Sequence, residues 1–320
     1  MGGWGGSPRK HNGRCGPRFL RPHIAQSPVP PAGFEPAPPP PEGGALSPEL
    51  RGPVAQRGTA YNTGRRGFAG PTVWGVEETI TGDGLRLRVY EEGEPAGPTV
   101  LLVHGFPDTA EVWEPLVDQL KGRFRVVRYD VRGVGRSEGP HDTEGYRIEK
   151  LADDLVRVAE ATKGKVHLVG HDWGAVQGWH AVAERPEVFE SFTAISGPDL
   201  GHASDWYQRN FPSWDTAQQL ARSWYMAAFK VPKVPDLFFP TNGLNLYRAN
   251  IGRKYEPRRV ATRTMLIVPT KDKYVTPALT KAAAPWCEDL TVKAVPAGHW
   301  VIKSHPEVVA AWFEEFAREG

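Results

Sequence analysis

From residue 72 onward the sequence predicts an α/β fold, a mostly parallel sheet with helices on both faces. Three observations carry this expectation. Strand-like and helix-like segments alternate along most of the chain, joined by short connections. The segment 99–105 is a continuous apolar run, as in a strand covered on both faces, rather than the alternating pattern of a half-exposed one. The rhythm breaks once, over 198–258, and then resumes.

The first element is "LRLRVYEEG" (85–93), with an apolar residue at every second position, the pattern of an edge strand. "TVLLVHG" (99–105) is the first continuous apolar run. It is followed by helix 110–121, strand 124–130, helix 146–162, strand 165–172, helix 173–185 and strand 191–197. Short connections between such units imply right-handed crossovers. After the break come a strand over 262–272, a short helix, a strand over 290–299 and a last helix over 306–319. The expected core is therefore 72–197 with 259–320, and 198–258 is an insertion that acts as a cap (lid). An insertion at the C-terminal end of a strand lies over the sheet edge where α/β ligands bind. It also holds too many large aromatics to be left in water.

Residues 1–71 do not fit this pattern. Proline lacks the amide donor and fixes φ, so "EPAPPPPEGG" (35–44) can be neither a helix interior nor a paired strand. The segment reads as a disordered Gly/Pro/Arg-rich tail. It also distorts the charge. Residues 1–70 hold 9 of the 39 basic and 3 of the 37 acidic residues, so the rest carries 30 against 34, a net of −4. A mildly acidic folded part gives no nucleic-acid surface. The tail has no apolar stretch of signal-peptide type, and no later run is long enough to span a membrane. Two cysteines, Cys15 and Cys287, form no disulfide framework. The expected location is the cytoplasm.

The chemistry centres on "VHLVGHDWGA" (166–175), a strand, a sharp turn and a helix. Gly170-His171-Asp172-Trp173-Gly174 has the G-x-S-x-G spacing of a nucleophile elbow, with aspartate at its centre. At the start of a helix the amides favour an anion, and an ionised aspartate needs no base to be a nucleophile. The competing reading is a helix N-cap. "GRSEG" (135–139) fits the same spacing, but it follows a loop and precedes Pro140, so Ser137 is a decoy. "HGFPD" (104–108) ends the first apolar strand. The amides of Phe106 and Trp173 would form the oxyanion hole, and His104 reads as an orienting or packing residue. In the chain order nucleophile, acid, histidine, the base is His299 in "PAGHWVIKSHPE", with His305 a surface neighbour. The acid is Asp272, at the end of "LIVPTKD", which also reads as a helix N-cap; Asp199 is the alternative acid.

These motifs resemble those of the α/β-hydrolase-fold epoxide hydrolases. The likeness runs from about 72 to 320 and rests on "HGFPD", "YDVRGVGRSEGP", "GHDWGA", "PTKDKYVTP" and "GHW". It implies the α/β-hydrolase fold, with a mostly parallel sheet of eight strands and an inserted helical cap. It also implies two cap tyrosines that polarise the epoxide oxygen. "WYMAAFKVP" points to Tyr225 and "NLYRANIG" to Tyr247, with Tyr207 and Tyr255 left as packing residues. Phe106, Trp173 and Trp300 would contact substrate. The implied reaction opens an apolar epoxide to a vicinal diol through an ester on Asp172, and water is the second reactant. It requires no cofactor and no metal. The resemblance is to the hydrolase half of bifunctional proteins, in which a short-chain dehydrogenase domain follows; here that domain would be missing, split off or never present.

Two other readings stand beside this one. A haloalkane dehalogenase would use the same aspartate, with the Trp173 indole holding halide. It usually has a second halide donor, which Phe106 cannot supply, and needs no paired cap tyrosines. A fluoroacetate dehalogenase would want Arg where Trp173 stands. The third reading is a catalytically silent binding scaffold, which turnover of a simple epoxide would exclude.

Overall fold

The computed structural model describes residues 1–3, 73–231, 234–239 and 242–319. Apart from residues 1–3, the tail expected to be disordered lies outside the described residues.

The sheet has eight strands: β1 (Val73–Ile80), β2 (Arg86–Gly93), β3 (Thr99–Val103), β4 (Arg125–Tyr129), β5 (Val166–His171), β6 (Phe189–Ile195), β7 (Thr264–Pro269) and β8 (Leu290–Val295). Their spatial order is β1-β2-β4-β3-β5-β6-β7-β8. β2 runs antiparallel to both its neighbours and every other pair is parallel. The eight-stranded, mostly parallel sheet expected from the sequence is thus present. β1 lies outside the strands expected from the sequence: "VWGVEETI" has a glycine at its third position and a register shift between Val73 and Gly75, so its alternation is weak.

The strands form because their apolar residues have two faces to bury. Val100 and Leu102 of β3 join the core on one face, and Leu101 and Val103 join the core on the other. The period of two along a strand makes this split. β3, β5 and β7 are covered on both sides, and β3 for that reason reads as a continuous apolar run. β2 alternates instead, burying Leu87 and Val89. Its Glu92 is also buried and pairs with the Arg128 guanidinium at 2.7 Å.

The helices of the core are α1 (Glu114–Leu120), α2 (Ile148–Ala161) and α3 (Trp173–Glu184). Helix 110–121 of the sequence reading divides into a 3-10 turn, Ala110–Trp113, and α1, because Pro115 lacks an amide donor and fits only the first turn of a helix. Helix 146–162 likewise begins later, since Arg147 is extended and α2 starts after it.

Between β6 and β7 the chain forms α4 (Leu200–Asn210), α5 (Trp214–Arg222), α6 (Trp224–Phe229), α7 (Val234–Phe238) and α8 (Leu244–Asn250). The chain then adds α9 (Pro277–Thr280), α10 (Val301–Ser304) and α11 (Pro306–Arg318). α2 and α3 cover one face of the sheet, where Trp179 is the largest wholly buried side chain of the cluster. α1, α10 and α11 cover the other face around Trp113 and Phe313. Among the described residues no helix is long and apolar enough to cross a membrane.

Candidate active site

The parallel strands β3, β5, β6, β7 and β8 end on one side of the sheet. The segments that leave those ends carry Phe106, Asp172, Asp199, Asp272 and His299 in turn. Strand ends of an open α/β sheet collect functional side chains because the loops there can vary without disturbing the core.

Asp172 stands between β5 and α3 with φ 52° and ψ −122°. A non-glycine residue there carries strain of about 1–3 kcal/mol, held by its surroundings. Its amide donates to Ile195 O, and its carbonyl accepts from Ala175 N and Val176 N. Its side chain makes no capping bond to α3. The carboxylate faces outward instead. Oδ1 accepts the Phe106 amide at 2.8 Å, and Oδ2 lies 3.6 Å from His299 Nε2.

Two glycines make this arrangement possible. A Cβ on Gly105 would lie 2.2 Å from Asp172 Oδ1 and 2.6 Å from Trp173 N, so the Phe106 loop can approach the elbow only without a side chain there. A Cβ on Gly174 would lie 1.9 Å from the Val103 carbonyl oxygen. Backbone cannot yield as a flexible side chain does. Gly174→Ala is therefore expected to destabilise the protein by about 3 kcal/mol. The readout is a fall in the urea midpoint at unchanged slope, and a wild-type midpoint would contradict the packing argument.

His299 Nδ1 donates to Asp272 Oδ2 at 2.8 Å. Asp272 Oδ1 accepts the amides of Tyr274 and Val275 at 2.7 and 3.0 Å. Asp272 does not cap α9, because the Thr276 side chain does. Asp199 does not reach the histidine. Its Oδ1 caps α4 by accepting from Gly201 N and His202 N, both at 2.8 Å. Burial works against a charged His299, but the Asp272 and Asp172 carboxylates outweigh it and push its pKa up to about 10. Burial would likewise raise Asp272, yet the imidazolium and the two amides hold its carboxyl below the usual range.

Tyr225 on α6 and Tyr247 on α8 come together above the elbow, ring centroids 6.1 Å apart. The Trp173 ring stands edge-on to Tyr247 at 5.0 Å, and its side chain interacts with the Tyr247 hydroxyl. Burial raises the pKa of both phenols, and the charge on Asp172 adds to it, so both hold their protons. Phe106 packs against Tyr247, Phe229 and Phe239 at 5.6, 5.7 and 5.3 Å, closing an apolar wall around the tyrosines.

The Trp300 ring lies 4.9 Å from His299, and its indole N–H donates to Asp108 Oδ2 at 2.8 Å. The remaining candidates are turned to structural contacts. Ser137 donates to the Asp130 carbonyl and accepts from Arg88 N. His104 bonds Gly105 O and accepts from Val131 N. Tyr255 bonds Asn250, and Tyr207 packs on Trp206.

Two neighbours of the site had no assignment from the sequence. Asp108 sits inside the "HGFPD" motif, where burial, with the Asp172 charge adding to it, raises its pKa to about 6 despite the Trp300 bond. His171 bonds the His299 carbonyl at 3.0 Å, and burial, then the His299 charge, lowers its pKa to about 4. Both lie within motifs already recognised, so adjacency to the motif centre was the available signal. Among the described residues no group of three or more His, Cys, Asp and Glu side chains is placed to hold a metal ion.

Residues 98–260 match the family model described as alpha/beta hydrolase fold. A Mycobacterium tuberculosis (strain ATCC 25618 / H37Rv) protein named "Probable oxidoreductase EphD" is 35% identical over 287 residues, covering 73% of this chain and 48% of that protein. The chain thus spans about half the length of this relative. "Epoxide hydrolase 3" of Mus musculus is 25% identical over 285 residues, covering 75% of this chain and 76% of the relative. The crystal structure of a Bacillus megaterium epoxide hydrolase bound to an inhibitor superposes with a TM-score of 0.66 at 22% identity, covering 76% of this chain and all of that one (100%). Epoxide hydrolase VrEH1 from Vigna radiata gives 0.63 at 22% identity, with 77% and 99% covered. At such identities the solved structures speak for the fold alone. The family match agrees with the sheet order and the strand-turn-helix at Asp172: the chain belongs to the α/β-hydrolase fold family.

Proposed function

We propose that this chain hydrolyses an apolar epoxide to a vicinal diol through an ester on Asp172, with residues 198–258 as the cap over the site. The observation that carries this reading is the line Asp172–His299–Asp272, at 3.6 and 2.8 Å, beneath a pair of tyrosines, Tyr247 buried and Tyr225 partly so. Likeness to the mouse protein named "Epoxide hydrolase 3" agrees with it.

In the first step Asp172 Oδ2 attacks an epoxide carbon, forming a C–O bond while the ring C–O bond breaks. Oδ1 stays with the Phe106 amide and becomes the ester carbonyl oxygen. The departing oxygen is a strong base and needs donors where its charge develops. Tyr225 and Tyr247, protonated and close to Asp172, are in place to supply them. The acyloxy bond removes the Asp172 charge, and with it part of what held the proton on His299. Releasing that proton balances the one taken up by the alkoxide. Neutral His299, oriented by Asp272, then takes a proton from water. The water oxygen attacks the ester carbon, and the charge at Oδ1 falls on the Phe106 and Trp173 amides. Collapse breaks the bond from the ester carbon to the substrate-bound oxygen, which takes the water's remaining proton; the diol leaves, the Asp172 carboxylate returns and His299 is again protonated. Halide displacement is disfavoured because the Trp173 indole already engages Tyr247.

The test is a single turnover of an aryl or alkyl epoxide in heavy-oxygen water with enzyme in excess. The expected product is unlabelled diol, with label in the Asp172 carboxylate. Label in the first-turnover diol would mean direct attack by water and would sink the ester mechanism. A complete lack of diol with simple epoxides would instead favour a silent binding scaffold.

A further inference from the structure

We infer that Asn250 is a positioning residue for ring opening: it fixes α8, and so Tyr247, against the core beneath Asp172. The inference rests on the proposed function and adds to it a residue that touches neither substrate nor Asp172.

α8 spans seven residues, too short to be a stable helix by itself. It nevertheless buries five of them, Leu244, Leu246, Tyr247, Ala249 and Asn250. Asn250 is 1% exposed and lies three residues, less than one turn, beyond Tyr247. Its Oδ1 accepts the Ile148 amide at 2.8 Å and the Tyr255 hydroxyl at 2.9 Å. Its Nδ2 donates to Tyr146 O at 2.9 Å and to Leu246 O at 2.8 Å. The amide's two donors and two acceptor sites are thus all occupied, and the Ile148 N–H fixes which end is the oxygen.

Two of these bonds leave α8 for the core segment that opens α2. Ile148 is the first residue of α2, whose N-cap, Arg147, offers no side-chain bond. The first amides of a helix lack partners within it. Asn250 supplies the missing acceptor from 102 positions away in the chain. Helix α2 and the Tyr247 helix are therefore locked together by one buried amide.

The helix of the other tyrosine is held from elsewhere: buried Gln219 of α5 donates to the Oγ of Ser223, which opens α6, and to Tyr274 O, and accepts the Thr276 amide. α6, which carries Tyr225, buries none of its residues fully, whereas Tyr247 is 4% exposed. The two phenols are thus held by separate contacts, and none of those at the start of α6 involves Asn250. His299 and Asp272, which serve the second chemical step, stand on loops after β8 and β7 and are held independently of Asn250.

This separation gives the test. Asn250→Asp keeps the shape and the acceptor but loses both donors, setting carboxylate oxygen against the Tyr146 and Leu246 carbonyls. Ester formation and ester hydrolysis are followed separately in single turnover of a simple aryl epoxide by the full chain. Ester formation is expected to slow by roughly 10- to 100-fold, the scale of a misplacement on the order of 1 Å. Hydrolysis of the ester should stay within about twofold, because the groups that perform it do not depend on α8. Asn250→Ser, which retains one hydroxyl for the Ile148 amide, should fall between wild type and Asn250→Asp. Tyr247→Phe combined with Asn250→Asp should be no slower than Tyr247→Phe alone. Equal slowing of both steps, or additive losses in the double variant, overturns the positioning role and marks Asn250 as structural only. Wild-type enzyme that forms no ester with any epoxide refutes the proposed function, and this inference falls with it.

Discussion

Asp172→Asn is expected to lower diol formation by on the order of 10⁵-fold, the scale seen when a covalent nucleophile is removed. Asparagine keeps the size of the side chain and an oxygen for the Phe106 amide, which lies 2.8 Å from Oδ1. Since Asp172 makes no capping bond to α3, the substitution removes no helix contact. Stability should stay within about 2 kcal/mol of wild type, since the loss is confined to the ion pair with His299 at 3.6 Å. Loss of activity with preserved stability separates a nucleophile from a helix cap, which would give the reverse. The measurement is the diol release rate beside a urea midpoint, on protein whose mass shows that the introduced asparagine has not deamidated. Activity within tenfold of wild type in such protein would remove Asp172 from the mechanism.

His299→Gln should give a different failure. Ring opening needs the Asp172 carboxylate and the tyrosines, so one equivalent of ester should form and then persist. Steady-state turnover is expected to fall by roughly 10³-fold, within the range for loss of a general base. In the resting site His299 carries a proton near neutral pH, because Asp272 and Asp172 outweigh burial and raise its pKa to about 10. Esterification removes one of those two charges and lowers the pKa from that value. The base is the deprotonated form, so hydrolysis of the wild-type ester should speed up as pH rises through the lowered pKa and then level off below pH 10. In His299→Gln the trapped ester should decay without that rise. Absence of any trapped ester in the variant would contradict the two-step scheme.

Much of the fold could be read locally. The unbroken apolar run of β3 is explained by cover on both faces, and the alternation in β2 by cover on one. β1 is hidden in the sequence because its register is set by pairing with β2 rather than by a pattern of its own. Helix 110–121 was read as unbroken; its division before Pro115 into a 3-10 turn and α1 depended on packing around Ala110 and Trp113. The segment between β6 and β7 was located only as an aromatic interruption; among its described helices α6, α7 and α8 span seven residues or fewer, too few for a helical period to declare itself.

The sequence by itself determined the order of the chemical groups and the element that bears each one. A strand, a turn and a helix surround Asp172; acids follow two later strands; a histidine follows the last. These are local facts, set by apolar periodicity and by glycines that must sit where backbone approaches backbone. Which acid faces the histidine was decided by tertiary structure. β7 lies beside β8 while β6 is one strand further away, and the start of α4 captures Asp199 with two amides, leaving Asp272 to meet His299. The meeting of Tyr225 with Tyr247 and the bond from Asn250 to Ile148 were decided in the same way. Each joins residues far apart in the chain, and such pairs leave no periodic mark because their spacing in sequence is fixed by nothing local.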